Sequence, residues 1–188
     1  MEKNLKQEPS TCLKIVLFGP ESTGKTSLAK QLASHYKTLW VPEFSREFAE
    51  SLTYDNKQIT EEDILTIASG QIGLENALSK VTNTILICDT DLLETMVYAD
   101  LYFPQGSYET LTKYALENQY ELYFLMYIDT PWVADGIRDK PESRMQDFET
   151  FKKALITYKR PYVMLDGDKD DRFKKAVKYI DELIDNLG

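Results

Sequence analysis

Eight consecutive residues, Gly19-Pro20-Glu21-Ser22-Thr23-Gly24-Lys25-Thr26, have the types and spacing of a loop that grips a phosphate chain. In the pattern G-x-x-x-x-G-K-[ST], successive backbone N–H groups turn inward around phosphate oxygens. A side chain at either glycine would obstruct the turn or the approach of those oxygens. Lys25 would reach the β- and γ-phosphates, and the Thr26 hydroxyl would ligate Mg²⁺. Glu21, Ser22, Thr23 and Gly24 would complete the cradle with Ser27 beyond them, and the following helix offers its free N–H groups to the same anion. The ligand this chemistry implies is a nucleoside triphosphate.

Phosphoryl transfer also needs carboxylates and cations beside the cradle. Asp89 follows the apolar run Ile85-Leu86-Ile87-Cys88 and would hold the metal directly or through water. Asp91 stands two residues on, where it would either touch metal or substrate or cap a helix beginning at Leu92. Glu43 is the candidate for orienting or deprotonating an acceptor hydroxyl; otherwise it is a surface glutamate paired with Arg46. The planar fork of Arg46 suits a substrate hydroxyl or phosphate. The charged segment 135–144, broken by Gly136 and Pro141, reads either as a solvated run or as a lid. As a lid it would bring Arg138 and Arg144 over the γ-phosphoryl oxygens.

These groups need elements to position them. Short apolar or β-branched runs at 13–18, 38–41, 84–88, 122–128 and 162–165 read as strands, and helical patterns separate them. Phe173, Ala176, Val177, Ile180, Leu183, Ile184 and Leu187 form one apolar stripe of a final helix. Residues 61–80 also read as helical, with Gly70 and Gly73 leaving room for a ligand or another backbone. Alternating strands and helices predict an α/β, three-layer α/β/α P-loop fold around a mostly parallel five-stranded sheet. In such sheets the site lies at the carboxyl ends of the strands, where every candidate above falls. Residues 1–11 read as a flexible lead-in and 12–188 as a single domain.

Composition narrows the partners. The 188-residue chain carries a net charge of −9 with no concentrated basic face, which argues against nucleic acid. No stretch approaches the roughly 20 apolar residues of a membrane span, and the first ten residues lack a signal-peptide core. Cys12 and Cys88 sit in apolar runs and His35 is the single histidine. That excludes a disulfide scaffold or zinc site and suggests a cytoplasmic protein with free thiols. A GTPase is disfavoured: Asn56-Lys57-Gln58-Ile59 lacks the guanine-reading aspartate, and Asp129-Thr130-Pro131-Trp132 lacks the switch glycine. A small-molecule kinase fits the length, the strand-end carboxylates and the arginines.

The chain resembles the nicotinamide riboside kinase domain of the NadR family from about residue 12 to its end. The resemblance rests on Gly19–Thr26, Glu43-Phe44-Ser45-Arg46-Glu47-Phe48, Asp89-Thr90-Asp91 with Tyr102 downstream, Trp132 to Arg138, and Pro161-Tyr162. It implies transfer of the ATP γ-phosphoryl, with Mg²⁺, to the ribose 5′-hydroxyl of a small-molecule nucleoside. It also implies that Lys25 and Thr26 hold phosphate and metal, that Asp89 lies near the metal, and that Arg138 belongs to the lid. Tyr102 matches a position that stacks on the nicotinamide ring, a delocalised cation worth about 1–2 kcal/mol against a desolvated aromatic face. Trp40 or Phe44 would be the second aromatic, unless Trp40 is a core residue. Longer family members carry an adenylyltransferase domain ahead of the kinase. Here only eleven residues stand before residue 12, so the expectation is a mononucleotide-forming enzyme that binds no operator. Two other expectations stay open: a kinase of another nucleoside or small hydroxylated metabolite, and a regulatory ATPase without an acceptor.

Overall fold

The computed structural model describes residues 5–54, 57–131 and 143–186. Five parallel strands form one sheet: β1 (Leu13–Phe18), β2 (Trp40–Val41), β3 (Ile85–Asp89), β4 (Leu122–Met126) and β5 (Tyr162–Leu165). Their order is β2-β3-β1-β4-β5, so β1 is central and all-parallel pairing replaces the mostly parallel sheet expected. The helices are α1 (Lys25–Tyr36), α2 (Phe44–Thr53), α3 (Ile64–Ser79), α4 (Leu92–Tyr102), α5 (Glu109–Glu117), α6 (Arg144–Thr157) and α7 (Lys169–Asp185).

Every β1 residue is buried because both sheet faces are covered. Successive side chains point to opposite faces. Val16 and Phe18 pack into a core with residues of α3, α4 and α6, including Ala68, Met96 and Phe151. Leu13, Ile15 and Leu17 pack into a second core with α1 and α7, including Leu28, Leu32 and Ile180. The predicted α7 stripe lies in this second core as far as Ile184; Leu187 lies outside the described residues.

Strand boundaries shift where a partner is missing. The edge strand β2 shrinks from the expected 38–41 to Trp40–Val41, because it pairs on one side only, with β3. β4 ends at Met126 rather than 128 because its neighbour β5 ends at Leu165, whose carbonyl takes the last bond from the Tyr127 N–H (2.9 Å).

The amino-terminal segment departs from expectation. Leu5 is wholly buried in the α3–α4 core, so residues 5–11 are not a loose lead-in. The Gln7 N–H donates to Asn118 Oδ1 (3.0 Å), and Gln7 Nε2 donates to Glu75 Oε1 (2.8 Å). The Glu8 N–H donates to Asn76 Oδ1 (2.8 Å). These partners lie 68 to 111 residues away, so no local pattern announces them.

Gly70 has a definite task. A Cβ there would sit 2.3 Å from Cε1 of Phe44, so the small residue admits an aromatic ring rather than a ligand or backbone. Beside Gly73 a Cβ would meet nothing within 4 Å. Gly70→Ala gains about 0.5–1 kcal/mol of helix propensity but forces overpacking of about 1–3 kcal/mol. The net expectation is a loss of about 1 kcal/mol, read as a lower urea midpoint with an unchanged slope.

Candidate active site

The loop between β1 and α1 adopts the backbone that its sequence demands. Gly19 has φ 136° and Gly24 φ 87°, and Ser22 joins them in the left-handed region at φ 56°. A Cβ on Gly19 would lie 3.1 Å from the Met126 carbonyl, so the loop passes against the end of β4. The Thr23 hydroxyl donates to the Pro20 carbonyl (2.8 Å), and the Thr130 hydroxyl donates to the Ser22 carbonyl (3.0 Å). Glu21 is half-buried in the loop, and Ser27 is exposed in the first turn of α1.

Lys25 is buried and folded back on this loop. Its Nζ donates to the carbonyls of Gly19 (2.6 Å) and Pro20 (3.0 Å) and pairs with Glu94 Oε1 at 3.2 Å. Thr26 Oγ1 donates to Asp89 Oδ2 at 2.5 Å. The Asp89 Oδ1 atom is buried and has no hydrogen-bond partner among the described residues. Burial, with Glu43 nearby, raises the Asp89 carboxyl to about 6, against the pull of Lys25 and the Thr26 hydroxyl. A cation beside Thr26 would satisfy the orphaned oxygen and lower that proton affinity, so these two residues fit a magnesium ion.

Past β3 the chain turns through Thr90 at φ 75°, a strained position for a β-branched residue. Asp91 resolves as the helix cap: its Oδ1 accepts the Glu94 N–H (2.9 Å) and its Oδ2 the Tyr123 hydroxyl (2.7 Å). It is 0% exposed and does not line the neighbouring cavity, so the expected substrate contact is corrected. Both carboxylate oxygens already serve the fold.

That cavity, of about 450 Å³, opens between α2, the chain before α3, and α4. Its lining includes Thr90, Glu43, Glu94, Tyr98, Tyr102 and Ile64. Glu43, just before α2, is 7% exposed. It accepts the Ser45 hydroxyl (2.7 Å) and lies 3.6 Å from Arg46, so it is paired yet not a surface residue. Gln71 Oε1 accepts the Phe44 N–H (2.9 Å) and so fixes the start of α2. Arg46 is half-exposed and lies outside the cavity lining. Tyr102, at the end of α4, lines the cavity with its ring 6.1 Å from that of Tyr98.

Trp40 is not part of this site. It packs into the α1–α7 core on the other face of the sheet, with Lys30 Nζ 5.4 Å from its ring centre. Its expected stacking role is corrected in favour of the core. Arg138, with the rest of 132–142, lies outside the described residues. Arg144, at the start of α6, donates from Nη1 to the Thr130 carbonyl (3.0 Å). Its Nε and Nη2 are buried without hydrogen-bond partners among the described residues, and burial lowers its pKa. Asp129 and then Glu21 of the phosphate loop oppose that lowering electrostatically.

Two site residues have roles that the sequence reading does not give. Arg172, near the start of α7, donates to the carbonyls of Thr23 (2.8 Å), Tyr127 (2.9 Å) and Gly167 (3.0 Å) and pairs with Asp129. It clamps the phosphate loop to the β4 and β5 ends. Glu94 accepts the Gly19 N–H (3.1 Å) and meets Lys25. A charged residue in an otherwise apolar α4 turn was the available signal for it.

Burial is the main cause that raises the Glu94 carboxyl to about 8 from an ordinary 4.5. Between those values the folded chain holds more protons than the unfolded one, so the group lowers stability as pH climbs through that window. Glu94→Gln, which mimics the protonated form, should melt close to wild type at about pH 5 and increasingly above it towards pH 9. A melting-temperature difference that stays flat across that range would show an ordinary, ionised carboxylate.

The sheet order, the loop after β1 and the carboxylates ending β2 and β3 define a P-loop nucleotide-binding domain of nucleoside- and nucleotide-kinase shape. Residues 14–172 match the model of the AAA domain family, and the chain belongs to that family. It is 27% identical over 181 residues to the trifunctional NAD biosynthesis/regulator protein NadR of Salmonella typhimurium. The match takes in 93% of this chain and 43% of that protein, so the chain spans less than half the length of its curated relative. The crystal structure of a NadR protein in complex with NR aligns at TM-score 0.76 and 25% identity, over 92% of this chain and 52% of that one. The thymidylate kinase of Ehrlichia chaffeensis shares the fold, at TM-score 0.63 and 14% identity over 92% of this chain and all of the other. The resemblance read from the motifs is thus a homology of sequence and of fold. No helix among the described residues is long and apolar enough to cross a membrane.

Proposed function

We propose that the chain transfers the γ-phosphoryl of ATP, with Mg²⁺, to the ribose 5′-hydroxyl of nicotinamide riboside, forming nicotinamide mononucleotide. The observation that carries this reading is Glu43, a buried carboxylate lining a cavity whose other carboxylate, Glu94, bonds the Gly19 N–H of the phosphate loop. The related NadR structure in complex with NR supports the choice of acceptor.

Lys25 would leave the Gly19 and Pro20 carbonyls and turn to the phosphate oxygens. The loop N–H groups and Arg144 would hold the remaining negative charge. Thr26 and Asp89 would hold Mg²⁺, which when bound neutralises charge on the phosphate oxygens. Glu43 would accept the 5′-hydroxyl proton as that oxygen bonds to the γ-phosphorus and ADP departs. Tyr102 and Tyr98 would form the aromatic wall for the pyridinium ring.

The test is ADP release from Mg·ATP with and without nicotinamide riboside, the product identified by mass spectrometry across a nucleoside panel that includes nicotinic acid riboside. Mononucleotide formed only with nicotinamide riboside is the expected result. Release driven by another nucleoside would keep the kinase and replace its acceptor; release indifferent to every acceptor would defeat the proposal.

A further inference from the structure

Glu94 stands where the phosphate loop and the acceptor cavity meet. It lines the cavity on the same face of α4 as Thr95, Tyr98 and Tyr102. Only 1% of it is exposed, so the cavity is its route to any small molecule. One oxygen, Oε2, accepts the Gly19 N–H (3.1 Å). The other, Oε1, has no hydrogen bond among the described residues and meets only the Lys25 ammonium at 3.2 Å.

That arrangement cannot outlast nucleotide binding. The Lys25 ammonium is shared among Glu94 and the Gly19 and Pro20 carbonyls, and a triphosphate in the loop would draw it away. Oε1 would then be a buried polar atom without a partner, a state that costs free energy until a donor or acceptor fills it. The opening towards it is the acceptor cavity, and the group that an acceptor nucleoside brings is a hydroxyl.

We propose that Glu94 binds a hydroxyl of the acceptor and couples that binding to the nucleotide, an inference that rests on the phosphotransfer proposed above. The empty site keeps Glu94 occupied by Lys25. The loaded site releases it to the acceptor, so nucleotide first and acceptor second is the favoured order. By reciprocity the acceptor tightens the nucleotide as much as the nucleotide tightens the acceptor.

The test uses wild type, Glu94→Ala and Glu94→Gln, with nicotinamide riboside as acceptor. Steady-state kinetics give KM for each substrate. Calorimetry gives riboside affinity with and without a non-hydrolysable ATP analogue and Mg²⁺. Wild type should bind the riboside about five-fold or more tightly with the analogue present, and Glu94→Ala should lose that difference. Glu94→Ala should raise the riboside KM about ten-fold or more and move the ATP KM by less than about three-fold. Glu94→Gln, which keeps a hydrogen-bonding end, should restore the riboside KM to within about three-fold of wild type. An unchanged riboside KM in an active Glu94→Ala enzyme overturns the inference and leaves the phosphotransfer reading standing. Both KM values rising together in both variants overturns it too, because that marks a brace for the loop. If wild type phosphorylates no riboside at all, the phosphotransfer reading falls and takes this inference with it.

Discussion

Glu43→Gln is expected to lower acceptor-dependent phosphoryl transfer by about 10²- to 10⁴-fold, the range a positioned general base supplies. Nucleotide affinity should stay near wild type, because the hydrogen bond of this side chain with Ser45 and its pairing with Arg46 lie outside the phosphate loop. Glutamine keeps the shape and can still accept the Ser45 hydroxyl, so the start of α2 and the cavity wall survive. What disappears is the capacity of this lining carboxylate to take a proton. The competing cavity carboxyl is Glu94, whose Oε2 accepts the Gly19 N–H, so transfer by Glu94→Gln is measured beside Glu43→Gln to separate the two. Single-turnover transfer from Mg·ATP to nicotinamide riboside is the measurement, with binding of a fluorescent ATP analogue alongside. Transfer retained within about ten-fold would remove Glu43 from the proton path.

Lys25→Ala is expected to cost about 10²- to 10³-fold in kcat, the usual effect of deleting one preorganised charge facing the transferring group. It should weaken ATP binding as well, which separates it from Glu43→Gln. The variant also strips Glu94 of its cation, and burial then favours the protonated carboxyl still more. The loop backbone does not depend on Lys25 alone: the Thr23–Pro20, Thr130–Ser22 and Arg172–Thr23 bonds remain. A folded, nucleotide-weak and nearly inactive protein is the expected phenotype. Normal turnover at saturating ATP would show that this ammonium does not reach the transferring phosphoryl.

Most of the fold is readable from the chain because its strands are short apolar runs bounded by polar residues, and both sheet faces are covered. The phosphate loop is readable for a related reason. Its function resides in eight adjacent residues whose backbone follows from glycine placement, as the positive φ at Gly19 and Gly24 bears out. The Thr26–Asp89 hydrogen bond follows once β1 and β3 are placed side by side, since Asp89 ends β3 opposite Leu17 and Thr26 lies in the first turn of α1, beyond the loop that follows β1.

Other features were set by the way distant segments meet. Asp91 could contact substrate or cap α4 on spacing alone, and the arrival of Tyr123 from β4 occupies its second oxygen. Glu94 and Arg172 gain their meaning from Gly19, Lys25 and Thr23, which lie about 70 to 150 residues away. The amino-terminal segment packs because Asn118, Asn76 and Glu75 come to one end of the molecule. Trp40 shows the reason most plainly. It pairs with Ile87, and successive strand residues face opposite sides of the sheet, so register sends its ring to the α1–α7 core and away from the cavity. Residue types and short spacings carry the chemistry that neighbours can perform. Which face a side chain meets, and whether its polar atoms are already taken, follows only when remote elements pack.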